Sequence, residues 1–147
     1  MCIRDSLWPR AAITATDIDP IAIDVTRENM AANHVASLRL IVADGARDPA
    51  IADDAPYDLV IANILAGPLI AMAPEVTAIA APGATVVLAG LLTRQADEVV
   101  AAYAAQGCGV AARDVRGDWT ILRLTVGAAA ATGEQLPGDR GAWATDT

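Results

Sequence analysis

Short apolar runs of strand character, each followed by a stretch of helical character, constrain this chain more than any other feature. "AAITATD" (11–17) reads as a short buried strand. Asp19 then supplies an N-cap and Pro20 a first helical residue for a helix reaching about Asn33. "LRLIVAD" (38–44) predicts the next strand, "GARDPAIADDAP" (45–56) a polar, turn-rich loop, and "YDLVIAN" (57–63) a third strand. An apolar helix follows over roughly 66–80, and Pro74 inside it predicts a kink or a break into two pieces. "PGATVVLAG" (82–90) reads as a turn and a fourth strand. "TRQADEVVAAYAAQ" (93–106) reads as an amphipathic helix with Thr93 as its cap and Gly107 as its stop. "CGVAARDV" (108–115) and "WTILRLTV" (119–126) are joined by "RGD" (116–118), a link so short that they must form an antiparallel pair. RGD is therefore read as turn chemistry rather than as an adhesion signal. Beyond Gly127 the tail lacks periodicity and is expected to be disordered.

Strand–helix alternation closed by a hairpin specifies an α/β fold whose sheet is parallel except at one edge. The length suits one domain, and 54% apolar residues are ample for a core. Several function classes are disfavoured. A net charge of −8 argues against a nucleic-acid surface and is compatible with a basic protein partner. Phenylalanine is absent and aromatics make up 3%, so there is little material for stacking on bases. No apolar run reaches the ~18 residues of a membrane span. Cys2 and Cys108 have no metal-type spacing and read as lone thiols, so no metal site is expected. His34, the single histidine, reads as a helix end, where a positive φ is tolerated, rather than as a catalytic base.

In such sheets ligands sit beyond the carboxyl ends of the strands. Asp17, Asp44, Asn63 and Gly90 all fall at predicted strand ends, either as a site or as polar residues that merely solubilise loops. Asp17, just ahead of a helix, can accept hydrogen bonds from the vicinal hydroxyls of a ribose. Asp19 is assigned the simpler role of helix cap. Asp44 either orients an adenine amino group or only starts the loop, while Arg47, Asp53 and Asp54 read as a solvated loop. Asn63 offers an acceptor and a donor and cannot titrate, so it positions a group rather than exchanging protons with it; the alternative is a helix cap. Positioning suits methyl transfer from a sulfonium to an amine, where the leaving group is already activated and proximity does much of the work. The amine must be neutral, and an apolar pocket would lower a lysine pKa from its usual value of about 10.4.

"ATDIDPIAIDVTRENMAANHV", "YDLVIANILAGPLIAMAPEV" and "LAGLLTRQADEVVAAYAAQG" together resemble the ribosomal protein L-eleven methyltransferase family, from about Leu7 to Val126. The resemblance implies a Rossmann-like, S-adenosylmethionine-dependent cytoplasmic enzyme. Such enzymes methylate lysine side chains and the N-terminal amine of a large-subunit ribosomal protein. By resemblance Asp17 holds the cofactor ribose, Asp44 lies beside the adenine, and Asn63 faces the methyl donor and the incoming amine. Asn63-Ile64-Leu65-Ala66 lacks the aromatic residue of base-modifying relatives, which favours a flexible aliphatic amine.

The family's glycine-rich loop has no counterpart upstream of residue 11, and its first strand and N-terminal substrate-gripping domain are also missing from the pattern. Residues 1–6 ("MCIRDS") read as a foreign or miscalled start, 7–126 as a partial catalytic domain, and 127–147 as the tail. In the family's fold the first strand lies between the strands ending at Asp17 and Asn63. Its loss would leave two edges unpaired or force them together. Two readings follow: a protein-lysine N-methyltransferase in its full-length form, or a non-catalytic α/β remnant that associates with another chain. A nicotinamide-dependent oxidoreductase would need its own glycine loop and a hydride-handling site, and neither is visible. The sequence does not specify an oligomeric state.

Overall fold

The computed structural model describes residues 11–127, so the expectations for residues 1–6 and for the tail beyond Gly127 lie outside the described residues. The chain divides into two compact units, one through Asp54 and one from Ala55.

In the first unit, β1 (Ile13–Asp17) pairs in parallel with β2 (Leu38–Val42), with Asp17 opposite Val42. The crossover between them is α1 (Pro20–Ala32). Asp19 caps it, its carboxylate accepting the Ile21 amide at 2.8 Å, and Pro20 occupies a position whose missing N–H costs nothing. The helix ends at Asn33, and His34 takes φ +56, so the expected left-handed helix end is present. The segment 45–56 is less open than its composition predicts. Asp48 accepts the Ala50 amide and opens a one-turn helix, α2 (Pro49–Ala52). Its buried Ile51 joins Ile13, Ile23, Ala43 and Ala46 among this unit's buried residues.

The second unit holds a four-stranded sheet in the order β3-β4-β6-β5. β3 (Tyr57–Asn63) lies parallel to β4 (Ala80–Leu92), and β6 (Trp119–Val126) is antiparallel to both β4 and β5 (Cys108–Arg116). Two residues, Gly117 and Asp118, turn β5 into β6, with the glycine at positive φ where such hairpins need it. Pro74 acts as predicted. The apolar stretch breaks into α3 (Ala66–Ala71) and α4 (Ala73–Ile79), with Pro74 in the first turn of the latter. Thr93 is not the cap of the next helix. A 3-10 turn (Thr93–Gln95) precedes α5 (Ala96–Ala104), the Gln95 side chain takes the Leu92 amide, and the Thr93 hydroxyl accepts from Thr120. Leu69, Val76, Val86, Leu88, Leu91, Val99, Leu122 and Leu124 are fully buried, which places the main core here.

The sheet edges differ in chemistry. β2 carries Arg39, and β5 carries Arg113, Asp114 and Arg116, charges that discourage further strand pairing. The other two edge strands carry one charge each, Asp17 at the end of β1 and Asp58 near the start of β3. Within β3, Ile61 is 50% exposed, which is unusual in a parallel strand, since such strands are normally covered on both faces.

Tyr103 of α5 is fully buried, and its hydroxyl finds no hydrogen-bond partner among the described residues. Burial first, then Cys108 and Glu75, push its phenol well above the ordinary range; burial also raises the Cys108 thiol. Both groups are held protonated by the fold and return to ordinary values on unfolding. The unfolded chain therefore binds fewer protons in alkali, and stability falls as pH rises above about 9. Removing the unpaired hydroxyl relieves a desolvation cost. We expect Tyr103→Phe to raise the unfolding free energy by about 1 kcal/mol in urea titrations and to make the alkaline decline shallower. A loss of stability at neutral pH would show that the hydroxyl is satisfied.

Candidate active site

Parallel pairing sets the carboxyl ends of β1 and β2 side by side. The Ala43 amide donates to the Asp17 carbonyl at 3.0 Å, carrying the pair one step beyond β2. Asp17 is the last residue of β1, is exposed, and accepts the Asp19 amide on Oδ1 at 2.9 Å. This short loop aims the carboxylate and leaves lone pairs on both oxygens for a ligand. Asp44 is also exposed but lies past the end of β2 at Val42, at the start of the turn through Gly45. The structure thus brings Asp17 and Asp44 to one end of one parallel pair, with Asp19 occupied as a cap.

The second unit presents its own carboxyl end. Asn63 terminates β3 opposite Ala89 of β4, and its side chain is exposed. It is not a cap: α3 begins after Leu65 with no side-chain cap hydrogen bond. The Asn63-Ile64-Leu65 segment between strand and helix sets an amide beside two apolar side chains, with Leu65 72% exposed. Gly90 lies inside β4, which runs on to Leu92, rather than at its end as the pattern predicts. Glycine within a strand marks a bulge or a close backbone approach, and that was the available signal. Its proximity to Asn63 was not legible from spacing. No group of three or more His, Cys, Asp or Glu able to hold a metal ion occurs among the described residues.

A family model described as ribosomal protein L11 methyltransferase (PrmA) matches residues 3–126. This chain belongs to that family. The ribosomal protein L11 methyltransferase of Brucella abortus (strain S19) is 44% identical over 114 residues, covering 77% of this chain and 40% of the relative. The chain therefore spans about two-fifths of the length of that relative. Among solved structures, the ribosomal protein L11 methylase of Lactobacillus delbrueckii subsp. bulgaricus superposes with a TM-score of 0.71 at 25% identity, over 77% of this chain and 57% of that one. A structure described as a putative methyltransferase complexed with SAH, 13% identical, matches with a TM-score of 0.63 over 78% of this chain and 39% of that one. The L11 methyltransferase family and its Rossmann-like architecture thus agree with the resemblance read from the three motifs.

The two aspartates at the first carboxyl end separate by substitution. Asp19→Ala removes the cap and is expected to cost about 1 kcal/mol, seen as lost helical circular dichroism and a lower urea midpoint. Asp17→Asn keeps an acceptor for the Asp19 amide and should stay within about 0.5 kcal/mol of the parent. A large loss for Asp17→Asn would make this residue structural.

Proposed function

We propose that this chain carries part of the catalytic domain of an S-adenosylmethionine-dependent N-methyltransferase. Its substrates would be lysine and α-amino groups of a large-subunit ribosomal protein in the cytoplasm. The observation that carries this reading is Asn63: an exposed, non-titrating amide at the carboxyl end of a parallel strand, flanked by the apolar Ile64 and Leu65. Membership of the ribosomal protein L11 methyltransferase family, and the SAH bound to one structural neighbour, support it.

The residues present suit the cofactor. The Asp17 carboxylate, oriented by the Asp19 amide, would accept from the ribose hydroxyls, and Asp44 would accept from the adenine amino group. S-adenosylmethionine supplies a methyl group already activated on a sulfonium. Asn63 would accept from the amine N–H and hold its lone pair toward that methyl group. Ile64 and Leu65 would disfavour the ammonium form, so that the amine arrives neutral. The protein's contribution is alignment, and displacements of about 1 Å can cost on the order of 100-fold in rate.

A second reading, a non-catalytic α/β module that pairs with another chain, is favoured by β1 and β3, neither of which is paired on its outer side among the described strands. Calorimetric titration of S-adenosylmethionine separates the two. The comparison is between this chain and a chimera joined to the segment of the Brucella relative preceding its matched residues. We expect weak or no binding by the chain alone and saturable binding by the chimera. Comparable micromolar binding by both would show that Asp17, Asp44 and Asn63 suffice; binding by neither would favour the non-catalytic module.

A further inference from the structure

Gly90 sits where β4 carries one residue more than β6. Leu88 pairs with Leu122 and Leu91 with Thr120, so Ala89 and Gly90 together face a single residue of β6. This is a β-bulge, and it turns Gly90 toward the end of β3. A Cβ on Gly90 would stand 2.6 Å from the Ile64 carbonyl oxygen, 3.2 Å from its carbon and 3.1 Å from Asn63 Oδ1. Two of those atoms are backbone, which cannot give way as cheaply as the tip of a flexible side chain. Positive φ alone does not single this glycine out. Gly83, Gly107, Gly117 and Gly127 share it, yet a Cβ at any of them would meet nothing within 4 Å. What Gly90 uniquely requires among these is the absence of a side chain, and the atoms it accommodates belong to Asn63 and Ile64.

We infer that Gly90 is a positioning residue: the bulge in β4 forms the floor on which the Asn63 side chain and the Ile64 carbonyl rest. The Asn63 side-chain amide makes no hydrogen bond to any described residue, so this floor, rather than a bond, restricts where it lies. A methyl group at residue 90 would push the Ile64 carbonyl away and rotate or displace Asn63, while Leu88 and Leu122 behind the bulge keep their pairing. The functional consequence rests on the proposed role of Asn63; the positioning itself does not.

The test is nuclear magnetic resonance on the full chain, with the Asn63 side-chain amide pair assigned by its disappearance in Asn63→Ala. In the parent, three-bond couplings should report one dominant Asn63 rotamer, and Gly90 Hα should show a cross-peak to the Asn63 side chain. Gly90→Ala should shift the Asn63 side-chain pair and the Ile64 and Leu65 backbone amides more than it shifts Leu122 and Leu124. Gly83→Ala shares the torsional strain without the crowding and should leave the Asn63 pair in place. Rotamer averaging in the parent would overturn the inference, as would an unmoved Asn63 pair in Gly90→Ala or an equal shift in Gly83→Ala. The parent couplings decide the matter even if Gly90→Ala does not fold. Methyl transfer by the Brucella chimera and its Asn63→Ala variant tests the role of Asn63 independently of these spectra.

Discussion

Parallel pairing between β3 and β4 is the constraint on which the site in the second unit depends. Strands joined this way cannot be linked by a tight turn, so the chain must cross over through α3 and α4 before it returns as β4. That return sets Asn63 opposite Ala89 and the bulge at Gly90 under the loop that leaves β3. The same logic operates on a smaller scale between β1 and β2, where α1 is the crossover and Asp17 ends up level with Val42. In both cases the polar residue at the end of an apolar strand is a product of topology: the carboxyl end of a parallel strand is where such sheets meet their ligands.

Much of this was legible before any coordinates. β3 spans the predicted 57–63, and the helix break at Pro74, the left-handed His34 and the Asp19 cap follow from local backbone chemistry that needs no tertiary context. The misreadings cluster where two equally good local solutions compete. Thr93 has the chemistry of a cap, but Gln95 reaches back to the Leu92 amide and Thr120 donates to the Thr93 hydroxyl instead. The loop after β2 has turn composition throughout, yet Asp48 and Pro49 are also a helix start, and burying Ile51 selects the helix. Asn63 was found as a lone polar residue ending an apolar run. The function of Gly90 was not, because a close approach between segments separated by two helices leaves no trace in local spacing.

The family assignment and the local geometry answer different questions. Kinship states the kind of chemistry to expect, and about two-fifths of the length of the Brucella relative is represented. Geometry adds that the two carboxyl ends are built differently. In the first unit a carboxylate is oriented by a backbone amide, a rigid acceptor suited to hydroxyl groups. In the second an unbonded amide rests against backbone, an arrangement suited to steering a small mobile group. At the second end, Asn63, Ile64 and Leu65 themselves carry no titratable side chain.

The sheet edges differ in how strongly their side chains discourage further strand pairing. Arg39 on β2 and Arg113, Asp114 and Arg116 on β5 guard one side of each sheet against further strand pairing. On the other side each strand carries one charged residue, Asp17 at the end of β1 and Asp58 near the start of β3, so the apolar stretches between have no gatekeeper of their own and owe their restraint to what the rest of the chain places beside them.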